Sequence, residues 1–168
     1  MIDTTKATRR EVTLPAATLV AMLASARAAG EDALREQGRI AGRLLAERLT
    51  APHDAASVRA LPVEQFWKRV SDTFSSRGWG TLSHADAAPG VGELRAGDWI
   101  EADRAGSGGR CAFTAGALQG LLQEVSGAPL EVEEHECRAA GSAACRFRFG
   151  SRAALDALRV SAAAISAR

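Results

Sequence analysis

The sequence has no apolar run approaching the roughly 18 residues that a membrane-spanning helix needs, which excludes a transmembrane chain. It also has no excess of one charge, since 21 Lys and Arg stand against 20 Asp and Glu for a formal net charge of +1. That balance gives no bulk attraction to nucleic acid or an anionic bilayer, so direct nucleic-acid binding is not expected. An even set of cysteines is missing as well. Three in 168 residues argue against a disulfide framework and leave a metal site or reduced buried thiols as the options, and none of them falls in a Cys-x-x-Cys pair. Tyrosine is absent and aromatics make up 5%, a compositional bias from which no function is read. What is present, 46% hydrophobic residues in a chain of single-domain size, describes one globular core.

Near the N-terminus, Lys6, Arg9 and Arg10 precede an apolar stretch from Leu14 to Leu23 that ends in Ala24-Ser25-Ala26, part of an export-signal pattern. Glu11, Pro15 and Thr18 interrupt it, while Ala16, Leu19, Val20 and Leu23 share one helical face. The stretch is therefore read as a helix and the protein as cytoplasmic. Residues 1–13 are expected to be a flexible N-terminus and residues 14–168 a single domain.

Apolar spacing predicts helices from Pro15 to Ala29, stopped by Gly30, and from Glu31 onward with Leu34, Gly38, Ala41, Leu45 and Leu49 on one face. Gly38 and Gly42 leave room there for another backbone. Thr50 to Leu61, with Pro52 and His53, reads as a loop. A third helix starts at Pro62, buries Val63, Phe66, Val70 and Phe74, and stops at Gly78. The period then changes. Trp79 to Ala85 and Gly92 to Asp103 read as strands about the Pro89-Gly90 turn, with Gly97 marking a bulge or break. After the Gly106 to Gly109 loop, a helix from Cys111 to Val125 carries an inner stripe of Cys111, Ala115, Leu118, Leu122 and Val125. Leu130 to Glu136 and Ala144 to Phe149 alternate as a hairpin, and a last helix, capped by Ser151, places Leu155, Leu158, Ala162 and Ile165 inward. The fold class is α+β: an antiparallel sheet of about four strands packed with N-terminal helices, one central helix and a C-terminal helix.

The hairpin carries the most informative chemistry. Side chains two apart share a face, which groups Leu130, Val132 and Glu134, and likewise Cys145, Phe147 and Phe149. A carboxylate on an inward face needs a partner. Cys137 follows three residues after Glu134, where the strand turns, and Cys111 starts the central helix on its apolar stripe. Converged, Cys111, Glu134, Cys137 and Cys145 make a closed four-ligand set of the kind that holds structural zinc. The alternative from spacing alone is three small buried thiols and a strand register slipped by one, with Glu134 turned to solvent. His135 is as compatible with a surface position as with ligation.

Cys111, Gly116, Gly120, the Gly127-Ala128-Pro129 turn, Val132-Glu133-Glu134, Cys137, Gly141 and Cys145-Arg146-Phe147 closely resemble the second half of the 4-vinyl-reductase domain. That ligand-binding fold is shared with small subunits of the TRAPP tethering complex. The Gly38 and Gly42 helix and Gly78-Trp79-Gly80 resemble its first half, so the resemblance spans about Leu14 to Leu158. It implies a structural Zn2+ held by Cys111, Glu134, Cys137 and Cys145, as in the sensor domains of bacterial activators that respond to aromatic compounds. It further implies a small apolar or aromatic ligand near Trp79, His84, Trp99 and Phe113, and a homodimer through the N-terminal helices, for which the small-residue face at Gly38, Ala41 and Gly42 offers a surface. With no ATPase or DNA-binding region in the sequence, sensing is expected to use a separate output protein. The segment from Trp99 to Cys111 is shorter than its counterpart in those activators.

No catalytic residues are assigned. His53, His84 and His135 have no adjacent Ser or Cys in a recognisable motif, the Gly106 to Gly109 loop matches no phosphate-binding pattern, and no nicotinamide or flavin fingerprint is present. The expected function is a non-catalytic binding or sensing domain. The alternatives are a tetrapyrrole carrier or vinyl reductase of bacteriochlorophyll synthesis, and a TRAPP-like scaffold subunit.

Overall fold

Two helices carry glycines at four-residue spacing, and they lie against each other on those glycines. In the computed structural model, which describes residues 14–50, 55–103 and 110–166, α2 (Glu31–Thr50) crosses α5 (Ala112–Ser126). A Cβ on Gly38 would stand 2.1 Å from the Phe113 carbonyl oxygen and one on Gly42 2.0 Å from that of Ala117, while Gly116 and Gly120 meet the carbonyls of Arg35 and Arg39 just as closely. Only glycine permits that backbone approach. The face at Gly38 and Gly42 is therefore buried inside the chain, which corrects its reading as an outward dimerisation surface; Ala41 beside it is half-buried.

Around this pair stand α1 (Ala16–Arg27), the short α3 (Ala55–Arg59), α4 (Val63–Ser75) and α6 (Arg152–Ser166). The strands β1 (Thr81–Ala88), β2 (Val91–Gly97), β3 (Glu131–Glu136) and β4 (Cys145–Gly150) form one antiparallel sheet in the order β1-β2-β4-β3. α5 lies between α2 and the sheet and is buried on all sides, so the single inner stripe expected for it widens to nearly the whole helix. Leu118, Leu121, Leu94, Val132 and Phe147 meet there with no accessible surface, each such side chain contributing about 1.5–3 kcal/mol of burial.

Several boundaries differ from the pattern in the sequence. The expected loop from Thr50 to Leu61 contains α3. β2 ends at Gly97, where Asp98 takes φ +47° and the chain passes through Trp99 into a 3-10 turn, Ile100–Asp103, instead of running on as strand. Val63 is 62% exposed rather than buried, because it is the first residue of α4 and borders open surface clefts. Among the described side chains of α6 only Leu155 is buried; Leu158 is half-buried and Ala162 exposed. Ser151 does cap this helix, accepting from the Ala154 amide at 3.2 Å. Expectations on residues 1–13, on Pro52 and His53, on Gly106 to Gly109 and on the side chain of Ile165 lie outside the described residues. No described helix is long and apolar enough to cross a membrane.

Candidate metal centre

Strand parity puts Val132 and Glu134 on the inner face of β3, and simple alternation would then turn Cys137 outward. A bulge prevents this. The β3 to β4 register runs Glu134 to Phe147 and then Glu136 to Arg146, leaving His135 as the extra residue, and the phase shift brings Cys137 inward. Cys145 begins β4 on the same side, and Cys111 sits at the N-terminal boundary of α5. All four residues are buried, and their ligand atoms lie within 4.8 Å of one another.

Cys111 Sγ is 3.7 Å from Cys137 Sγ and 3.8 Å from Cys145 Sγ. Thiolates about 2.3 Å from a tetrahedral zinc stand about 3.8 Å apart, so these separations match tetrahedral edges. Glu134 is 7% exposed. Its Oε2 accepts from the Cys111 amide at 2.7 Å, and its Oε1 is buried with no hydrogen-bond partner. An orphaned carboxylate oxygen beside three thiols fits a divalent cation, which supplies what desolvation removed. Of the metals, a three-sulfur, one-oxygen set best suits zinc.

The thiols titrate unequally. A hydrogen bond with Cys145, then burial and the nearby Glu101 and Glu134 carboxylates, push Cys111 far above the ordinary thiol range. Burial, with Glu134 adding to it, raises Cys137 to about 11. Cys145 is lowered to about 7 by its bond from Cys111, assisted by the Arg138 amide donating to Sγ at 3.3 Å. One sulfur thus collects the donors that favour a thiolate. The Cys137 carbonyl accepts from Ala140 and Ser142 at 3.1 and 3.0 Å, which holds the loop between the two strands in a tight turn.

A second buried carboxylate escaped the sequence reading. Glu101, 1% exposed, accepts from the Phe113 and Thr114 amides and the Thr114 hydroxyl at 3.2, 2.8 and 2.6 Å, and pairs with Arg27 of α1. Together with Glu134 it satisfies the first amides of α5, a helix with no side-chain cap of its own. The one available signal was an acid set between the apolar Ile100 and Ala102, in a segment that also carries Asp98 and Asp103. His135 ligates nothing and hydrogen-bonds Glu93 on the outer face at 2.9 Å.

The four residues expected around a ligand separate into two places. Trp79 and Phe113 have ring centroids 5.6 Å apart, and Phe74 links Trp79 to Trp99 at 5.6 and 5.4 Å. Trp99 is 1% exposed, and its indole donates to Thr114 at 2.6 Å. His84 instead stacks on Trp67 at 4.5 Å, with Phe149 also against Trp67 at 5.2 Å. Trp67 and Phe149 were not read as site residues; both follow the helical or strand period of core positions.

Solved structures of 4-vinyl-reductase and tethering-complex proteins share this α+β fold. The 4-vinyl-reductase domain model matches residues 99–151, the segment that holds all four cluster residues. The fold is that of the phenol-responsive sensory domain of the transcription activator PoxR with phenol (18% identity, 85% of this chain and 77% of that one, TM-score 0.67). A vinyl-4-reductase family protein from Methanocaldococcus jannaschii shares it at 19% identity, 84% of each chain and TM-score 0.56. So does trafficking protein particle complex subunit 3 from Naegleria fowleri, covalently bound to palmitic acid, at 14% identity, 80% of this chain, 89% of that chain and TM-score 0.54. No curated protein is significantly similar in sequence.

Proposed function

We propose that this protein is a non-catalytic small-molecule-binding or sensing domain, residues 14–168, whose fold is tied together by one zinc ion on Cys111, Glu134, Cys137 and Cys145. The orphaned Oε1 of Glu134 beside sulfurs at tetrahedral spacing carries the zinc assignment. Bound there, the ion joins β3, β4 and the start of α5, and its binding free energy becomes folding free energy. Sensing is supported by the fold shared with a phenol-responsive sensory domain and by ring-lined clefts beside Trp67. Buried cysteines that form no disulfide fit a reducing, cytoplasmic setting.

A homodimer through the N-terminal helices draws support from exposed Met22, Ile40 and Leu44, in place of the buried glycine face; a separate output protein completes the scheme. The filled cluster of Phe74, Trp79, Trp99 and Phe113 favours a scaffold role as the second reading. Native mass spectrometry of protein purified without chelator tests these points together. One zinc per chain and a mass shift with an added aromatic ligand are the expected results, and metal-free protein or a chain that takes no ligand overturns the corresponding half.

A further inference from the structure

A cleft of about 360 Å3 opens where the end of α3, the start of α4, the last turn of α5, the start of β3 and the end of β4 meet. Its walls are carbon: Phe66, Trp67, Leu122, Val125, Leu130 and Phe149. Three of these are rings, held by contacts with one another and with His84. Trp67 stacks on His84 at 4.5 Å with an interplanar angle of 10° and meets Phe66 edge-on at 4.9 Å, and Phe149 leans on Trp67. An apolar cleft of this size with preset rings suits a small ring or short chain.

The polar groups gather at one end. Arg59 stands at the rim and donates one guanidinium nitrogen to the Val125 carbonyl at 2.9 Å, which covers the negative end of α5 and fixes the direction of the fork. Among the described residues no carboxylate pairs with Arg59. Its remaining donors form the planar set that binds a carboxylate through two parallel bonds. Ser126 lines the same end; its oxygen accepts from the Ala128 amide at 3.2 Å, which leaves its own proton for a ligand oxygen.

We propose that this cleft binds a small apolar carboxylic acid, its body between Trp67, Leu130 and Phe149 and its carboxylate on Arg59 and Ser126. The site rests on the small-molecule-binding reading and differs in place from the inner cluster at Trp79, Trp99 and Phe113, and its ligand class is anionic. An acid is favoured over a neutral aromatic because, among the described residues, the one charged group lining the cleft is a cation fixed by its own carbonyl bond.

The test uses the full chain in its zinc-loaded form, with naphthalene-2-carboxylate and the neutral naphthalene-2-carboxamide as probes in isothermal titration. The acid should bind once per chain and at least tenfold more tightly than the amide. Arg59→Gln should weaken the acid at least tenfold and leave the amide within twofold. Val63→Glu, on an exposed wall of the cleft, should weaken the acid by charge repulsion without altering zinc content. Equal affinity for acid and amide, or acid binding untouched by both variants, overturns the proposal. If that untouched binding is lost in Trp99→Phe, the ligand lies at the inner cluster and the broader sensing reading stands. A chain that binds neither probe, and whose oligomeric state changes with Val63→Glu, assigns the cleft to a second copy and likewise overturns it.

Discussion

Cys111 and Glu134 are joined through the backbone as well as through the cluster: the Cys111 amide donates to Glu134 Oε2 at 2.7 Å, while the Cys111 sulfur lies in the same group of ligand atoms as the carboxylate. One oxygen caps the helix and the other, without a hydrogen-bond partner, is open to the proposed ion. Helix start and metal site are therefore one structure, so metal loss should loosen α5 as well as the hairpin.

Replacing Cys145 with Ser should abolish stoichiometric zinc and destabilise the fold by on the order of 3 kcal/mol, since buried charges lose their compensating cation. Glu134→Gln keeps an acceptor for the Cys111 amide but removes the anionic ligand, so it should weaken zinc retention with a smaller loss of stability. Elemental analysis and thermal unfolding, with and without chelator, check both.

Gly42→Ala sets two effects against each other. Alanine gains about 1 kcal/mol in helix propensity, but its Cβ would stand 2.0 Å from the Ala117 carbonyl, and overpacking costs about 1–3 kcal/mol or more. The clash is with backbone, which cannot rotate away. The variant should be destabilised by about 2 kcal/mol in urea unfolding, whereas Gln37→Ala on the exposed face of α2 should change stability by less than about 0.5 kcal/mol.

Glu101→Gln should cost roughly 1.5–3 kcal/mol, the usual worth of hydrogen bonds to a buried charge, because the amides of Phe113 and Thr114 lose an anionic acceptor. Since the Trp99 indole bonds the same Thr114 hydroxyl that donates to Glu101, tryptophan emission should shift with it. An unchanged melting temperature would refute the capping role.

Acid should weaken the outer face of the sheet. Burial raises the Glu93 pKa, but bonds from Arg146 at 2.8 Å and from His135 outweigh it, and the net shift is downward from 4.5. A depressed folded pKa gives stability that is fully present above the unfolded value and is lost as pH falls through the folded one. The stability difference between wild type and Glu93→Gln should therefore be constant near pH 7 and shrink below about pH 4.5, as read by denaturant unfolding across pH.

Local pattern made much of this legible. Period 3.6 and Gly30 bounded α1, the Gly127 turn ended α5, and alternation in the hairpin put Val132 with Glu134 and Cys145 with Phe147 on inward faces, because those features depend on neighbours a few residues away. Convergence of the cysteines was open in the sequence for a physical reason. Parity alone sends Cys137 outward, and the bulge at His135 that reverses it follows from pairing with β4. Glycine spacing on α2 announced a close backbone contact, but whether the partner was α5 or another copy depended on the matching glycines 116 and 120 coming opposite, a long-range event. The same holds for Glu101 and Trp67. The sequence determined most of the elements, the α+β class and the residue types of the cluster; tertiary packing decided what lies inside at Cys137, around α5 and on the glycine face of α2, since burial there depends on what folds back from tens of residues away.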